Sequence, residues 1–140
     1  KLEAIHTPGH TDSHFSYMIN HASDKLLFSG DSLLINSCGR TDFQSGSSKE
    51  LYNTIKNIFY KMPNDTKVYP AHDYNNNSFS TIIDQKQDNA LINENIDMRN
   101  FISSMDNLDL RKPKKIDFAV PRNNICGATF GAGKNYDNVR

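Results

Sequence analysis

The chain has 140 residues and a mass of 15.9 kDa, enough for one domain with a sizeable core. Its 16 Lys and Arg residues balance 16 Asp and Glu residues, and this zero net charge argues against nucleic acid as a partner. No apolar run reaches the ~20 residues of a membrane span. Cys38 and Cys126 form neither a disulfide framework nor a CxxC pair, so we expect an intracellular, reducing compartment: cytoplasm, or the mitochondrion in a eukaryote.

Short apolar runs predict strands in the first third of the chain. Leu2 to His6 is a predicted strand that ends at Thr7-Pro8-Gly9, because Pro-Gly marks a turn. Phe15 to Asn20 and Lys25 to Ser29 predict two antiparallel strands joined by a short turn. Residues 32–46 lack a sustained period and predict a long ordered loop, which in proteins is usually functional.

The remaining sequence predicts helices that alternate with short strands. A capping box of Ser47 and Glu50 precedes apolar residues at helical spacing: Leu51, Ile55, Ile58, Phe59 and Met62. Lys67 to Tyr69 predicts a strand, residues 80–91 are compatible with a helix, and residues 93–108 predict another. We interpret Ile116 to Val120 as a last strand, residues 1–127 as one α/β region and residues 128–140 as a loose tail.

Three polar residues follow strand-like runs and are candidate metal ligands: His10, Asp31 and His72. Two imidazoles and a carboxylate at one sheet edge suit a borderline divalent cation. Asp31 is the strongest of the three candidates, although its setting also allows a helix cap or turn, and Pro70-Ala71-His72-Asp73-Tyr74 also suits a rigid turn. No HExxH motif occurs, which excludes the helical zinc-protease arrangement.

His6, His10 and His14 recur every four residues, a spacing that stacks side chains on one face of a helix. Pro8-Gly9 excludes such a helix, so these histidines would act from a turn. For any single histidine, a structural or surface role is the more usual one.

The motifs HTPGH at residues 6–10, FSGD at 28–31 and PAHDY at 70–74 resemble, in order and spacing, the later metal motifs of the metallo-β-lactamase superfamily. CGRTDFQSG at 38–46 and KKIDFAVPRNNICG at 114–127 resemble its persulfide dioxygenase branch. This resemblance covers residues 2–127 and implies an α/β fold, the αββα sandwich of that superfamily. The HxHxDH motif that precedes these motifs in the family is absent from the sequence, so we expect the chain to be the later half of the domain.

The resemblance also implies residue roles around one Fe(II) ion held by two histidines and an aspartate. His10 and Asp31 match two of these ligands, while His72 would lie beside the metal without binding it. Tyr74 would donate its hydroxyl to the substrate or to an iron-bound oxygen. Arg40 would bind a glutathione carboxylate, or else form a structural salt bridge. Cys38 would line the substrate pocket, or else be incidental to it.

The implied reaction is oxidation of glutathione persulfide by O2 to sulfite and glutathione. An alternative is a hydroxyacylglutathione hydrolase with two metals such as zinc, in which His72 binds metal directly; another is a fragment or degenerate module without activity. Asn89-Ala90-Leu91 stands where the family usually carries an arginine that helps to hold glutathione. The missing contact is worth about 1.5 to 3 kcal/mol, which predicts weaker glutathione binding or a smaller persulfide. A homodimer is compatible with the sequence.

Overall fold

The computed structural model describes residues 1–22, 24–43, 45–123 and 125. The chain divides into two compact units, Lys1–Leu108 and Asp109–Arg140. The predicted tail at residues 128–140 lies outside the described residues. None of the helices within the described ranges has the length and apolar character needed to cross a membrane.

A five-stranded sheet forms the frame of the first unit. Its strands begin with an antiparallel meander of β1 (Leu2–His6), β2 (Phe15–His21) and β3 (Asp24–Gly30). The predicted loop after β3 contains a small two-stranded ribbon, β4 (Leu33–Leu34) and β5 (Ser37–Cys38). Strand β6 (Lys67–Pro70) pairs in parallel with β3, and β7 (Ser80–Thr81) closes the order β1-β2-β3-β6-β7.

Three helices of the first unit begin at capping side chains. Helix α1 (Ser48–Asn57) is capped by Ser47, whose hydroxyl accepts a bond from the Glu50 amide at 3.3 Å, and a 3₁₀ turn follows it. The helix compatible with residues 80–91 is α2 (Ile82–Asp88), because Ser80 and Thr81 pair with β6 instead. The helix predicted at 93–108 is shorter, α3 (Met98–Asp106), since Asp97 caps it at the Asn100 amide.

The core of the first unit lies between one face of the sheet and the helices. Met18, Leu27 and Val68 point from β2, β3 and β6 toward apolar helix and loop residues: Leu51, Ile55, Phe59, Ile82, Ile92, Phe101 and Met105. Alternation along the strands leaves aromatic rings on the other face, where Tyr17 is 47% and Phe28 is 40% exposed. Sheet and helices together confirm the predicted α/β class.

The strand predicted at Ile116 to Val120 is wrong: these residues lie in helix α4 (Ile116–Asn123) of the second unit. Alternating apolar residues suggested a strand, but a strand needs a neighbour to satisfy its backbone groups. In α4 the segment satisfies them locally, with the Ile116 amide bonded to the Pro113 carbonyl at 3.1 Å and the Ala119 amide to the Lys115 carbonyl at 2.8 Å.

Candidate metal centre

The sheet topology brings the predicted site residues to one edge. Strands β1 and β3 are both antiparallel to β2, and β6 is parallel to β3, so the C-terminal ends of β1, β3 and β6 meet. Gly30 pairs with Pro70 at this edge, and the Ala71 amide donates to the Gly30 carbonyl at 3.0 Å. Residues that directly follow these strands therefore converge, as is common for α/β sites.

His10 and Asp31 face each other at this edge, with His10 Nε2 3.7 Å from Asp31 Oδ2. The other ring nitrogen of His10, Nδ1, donates to the Arg40 carbonyl at 2.7 Å. Since Nδ1 carries the proton, the neutral ring presents a lone pair at Nε2, the arrangement typical of a histidine that binds metal. Both side chains are partly exposed, His10 by 22% and Asp31 by 30%.

His72 contacts the other oxygen of the same carboxylate. Its Nδ1 lies 2.7 Å from Asp31 Oδ1, so the ring donates a hydrogen bond to the carboxylate and fixes its orientation. The Tyr74 ring is nearly parallel to the His72 ring, with centroids 6.3 Å apart, but Tyr74 is 83% exposed. The structure thus brings His10, Asp31 and His72 together and leaves Tyr74 at the outer margin.

Arg40 is engaged by a neighbour in the same loop. Its Nε and Nη2 each donate to a carboxylate oxygen of Asp42 at 2.7 Å, and its guanidinium lies 4.2 Å from the centroid of the Phe43 ring. The bidentate hydrogen bond lowers the pKa of Asp42 and raises that of Arg40. The structural salt bridge considered for Arg40 is therefore present, and a substrate carboxylate would compete with Asp42.

Cys38 lies in the core. A side chain in this position does not support the predicted contact with substrate. The side chain is 6% exposed, and Sγ lies 3.7 Å from Met105 Sδ. Burial raises the pKa of the Cys38 thiol to about 12. Sequence reasoning placed it near Arg40 because the two are neighbours in the chain, but β5 turns its side chain inward.

We expect Cys38 to be unreactive in the folded chain. At about pH 8 only about one Cys38 side chain in 10⁴ should be a thiolate, which is the form that reacts. A chromogenic disulfide reagent should therefore react very slowly with the folded Cys126→Ser variant. Unfolding in urea should release one reactive thiol. Rapid reaction before urea is added would contradict the buried position.

Sequence reasoning missed a group of buried hydroxyls around His14. His14 Nδ1 lies 2.8 Å from Thr7 Oγ1 and 3.0 Å from Ser32 Oγ, and its ring contacts that of His10 edge to face at 6.2 Å. Burial, followed by the charge on His10, lowers the pKa of His14 and favours its neutral form. The signal available in the sequence was a serine at an inward-facing strand position, such as Ser16 in β2.

Gly39 was also missed, although it lies between the two candidate ligands. A Cβ atom at Gly39 would overlap the Asp31 carbonyl and lie 2.9 Å from His10 Nδ1. Only glycine fits this approach without a shift of the backbone.

Within the described ranges, no three or more His, Cys, Asp and Glu side chains are arranged to hold a metal ion. His10 and Asp31 nevertheless form a pair of suitable donors. Two donors about 2.1 Å from one ion lie about 3.0 to 3.4 Å apart at octahedral or tetrahedral angles, so their 3.7 Å separation requires little closure. The donor set therefore fits a divalent cation.

Comparison with known proteins identifies the family. Residues 1–72 match the sequence profile described as the Metallo-beta-lactamase superfamily, which is just over half of the chain. The chain belongs to the metallo-β-lactamase superfamily. This membership supports metal binding at the edge that holds His10 and Asp31.

Individual relatives narrow the comparison. The human protein named persulfide dioxygenase ETHE1, mitochondrial, is 41% identical over 126 residues, which cover 90% of this chain and 48% of that protein. The crystal structure of ETHE1 from Myxococcus xanthus has a TM-score of 0.81 and 39% identity, over 91% of this chain and 54% of that one. A hydroxyacylglutathione hydrolase from Dictyostelium discoideum is 34% identical over 107 residues, or 72% of this chain and 37% of that protein.

These likenesses confirm the resemblance to persulfide dioxygenases that the sequence motifs indicated. The chain spans about half the length of the ETHE1 relatives that it matches.

Proposed function

We propose that this chain forms part of the catalytic domain of an iron-dependent persulfide dioxygenase. The reaction converts a persulfide, O2 and water into a thiol, sulfite and two protons, with glutathione persulfide or a smaller persulfide as substrate. The observation that carries the proposal is the convergence of His10 Nε2 and Asp31 Oδ2, 3.7 Å apart, at the sheet edge. The likeness to proteins named persulfide dioxygenase supports the choice of reaction.

His10 and Asp31 would hold the iron, and the remaining protein ligand would come from an HxHxDH motif, which this sequence does not contain. Ferrous iron, when bound, supplies open positions where O2 and the persulfide sulfur meet. The chain's own contribution is orientation: the Arg40 carbonyl fixes the His10 tautomer at 2.7 Å. His72 holds the far oxygen of Asp31, also at 2.7 Å.

Substrate recognition is proposed to involve Arg40, whose guanidinium recognises a carboxylate in the right geometry. Asp42 already binds the guanidinium in this structure, so a substrate carboxylate would have to displace it. The net binding free energy would then be the difference between the two ion pairs. Tyr74 is exposed beside His72 and is available to contact a substrate from solvent. The mitochondrial location named for the human relative fits an intracellular compartment for this chain.

A hydroxyacylglutathione hydrolase is the second candidate, favoured by the likeness to the Dictyostelium protein of that name. In that case His72 would bind a second metal and the pair would activate water. The dioxygenase proposal instead keeps His72 as a hydrogen-bond donor to Asp31, the contact present in the structure.

Changing His72 to Ala separates the two candidates. The protein, expressed from its complete gene, is loaded with Fe²⁺ without oxygen and its metal content is measured. With Fe²⁺ in excess we expect about one iron per chain with or without His72, because in this proposal the imidazole orients Asp31 and is not itself a ligand. The lost contact should lower iron affinity or turnover about 10- to 100-fold. O2 uptake with glutathione persulfide reports the activity.

A His21→Ala variant is the matched control, since His21 is exposed at the opposite end of β2. The hydrolase would replace the dioxygenase proposal if the protein bound two metals per chain, lost one of them with His72 and hydrolysed a thioester. If the metal-loaded protein showed neither activity, both enzyme candidates would be wrong and the chain would be part of a binding module.

A further inference from the structure

His14 contacts both segments that carry the candidate ligands. Its Nδ1 lies 2.8 Å from Thr7 Oγ1, in the segment that leads into the His10 turn. The same nitrogen lies 3.0 Å from the hydroxyl of Ser32, the residue that follows Asp31. One imidazole nitrogen therefore bridges two loops that come from separate parts of the chain.

Neighbouring carbonyl groups determine which atom donates in these contacts. A hydroxyl has a single proton, and a carbonyl oxygen only accepts. Ser32 Oγ donates to the Thr7 carbonyl at 3.1 Å, so its contact with His14 requires Nδ1 to be the donor.

A second chain of hydrogen bonds leads to the same result. Ser16 Oγ donates to the Ser29 carbonyl at 3.3 Å, so it accepts from Thr7 Oγ1 at 2.9 Å. Thr7 has then used its proton and accepts from His14 Nδ1. Both paths assign the proton to Nδ1, whose single N–H is then shared between the Thr7 and Ser32 hydroxyl oxygens in a three-centre hydrogen bond.

We propose that His14 is a positioning residue whose Nδ1–H ties the His10 turn to the Asp31 loop. Thr7 and Ser32 are both 0% exposed, so in the folded chain their hydroxyls depend on protein partners for their hydrogen bonds. The ring also requires Gly30, because a Cβ there would lie 2.5 Å from His14 Nε2. Its effect on the metal depends on the proposed metal site, whereas the tie itself is a property of the metal-free chain.

The tautomer is tested first, by imidazole ¹⁵N NMR of the metal-free chain at about pH 8, where histidine is neutral. We expect the His14 Nδ1 signal in the range of a protonated nitrogen and the Nε2 signal in the range of an unprotonated one. A ring protonated at Nε2 would overturn the proposal, whatever reaction the protein catalyses.

Two variants then separate the hydrogen bond from the bulk of the ring. His14→Asn places an amide N–H at the same number of bonds from the backbone as Nδ1, while His14→Leu keeps an apolar volume without a donor. We expect His14→Leu to speed hydrogen exchange of the Thr7 and Ser32 amides about 10-fold or more, and His14→Asn to change it less than about 3-fold.

Zn²⁺ affinity, measured by competition with a chromophoric chelator, should follow the same order. His14→Leu should weaken Zn²⁺ binding about 10- to 100-fold, as for other residues that orient metal ligands, with His14→Asn close to the parent. The same leucine substitution at exposed His21 should change neither readout. Equal behaviour of the Asn and Leu variants, or a larger effect of Asn, would refute the tie.

Discussion

Asp31→Asn is expected to remove most of the metal affinity while leaving the fold intact. The substitution keeps the shape of the side chain but removes the negative charge that faces His10 and accepts the hydrogen bond from His72. Removal of a hydrogen-bond partner of a metal ligand lowers metal affinity about 10- to 100-fold, so removal of a ligand's charge should lower it about 100-fold or more. Iron retained after anaerobic loading, and O2 uptake with a persulfide, measure the effect.

Asp24→Asn is the matched control, because Asp24 lies at the other end of the same strand and forms an exposed ion pair with Lys67 at 3.3 Å. Such a pair is worth about 0 to 1 kcal/mol, so iron content should not change. If Asp31→Asn bound iron as well as the Asp24 variant did, Asp31 would have no place among the ligands.

Gly39→Ala should damage both stability and the site. The added Cβ would overlap the Asp31 carbonyl and crowd His10 Nδ1, whose bond to the Arg40 carbonyl at 2.7 Å orients the ring. Since a backbone atom cannot rotate away as a side chain does, we expect the free energy of unfolding to fall by about 2 to 4 kcal/mol. Urea denaturation gives this value, and metal affinity should fall with it.

Ser13→Ala, at an exposed position in the turn after His10, is the comparison for Gly39→Ala. Surface substitutions of this kind change stability by less than about 0.5 kcal/mol. A Gly39→Ala protein as stable as the Ser13 variant would mean that the loop relaxes around the methyl group.

Local patterns were sufficient to predict the strands and helices that frame the site. The β2–β3 hairpin follows from two apolar runs around a short turn, and the Ser47 cap follows from its spacing to Glu50. The convergence of His10, Asp31 and His72 was predicted because each follows a strand-like run within a few residues. Their roles as ligands or supporting residues remain predictions.

Other features depend on distant contacts that a local pattern does not contain. Ile116 to Val120 alternates like a strand, yet its residues form a helix that satisfies its own backbone. Cys38 is next to Gly39 in the sequence, but its side chain is buried against Met105. The role of His14 depends on hydroxyls from three segments, so its spacing from His10 was uninformative.

The parallel pairing of β3 with β6 has a consequence for how the site is assembled. Hairpins such as β2–β3 close short loops, whereas the bond between Asp31 and His72 joins residues 41 apart in sequence. Loop-closure entropy opposes such a long-range contact more than it opposes a hairpin, so we expect the Asp31–His72 contact to form after the β2–β3 hairpin. We therefore expect a stage of folding in which the meander is formed and His72 does not yet hold Asp31, and a metal ion that arrived at this stage would bind weakly.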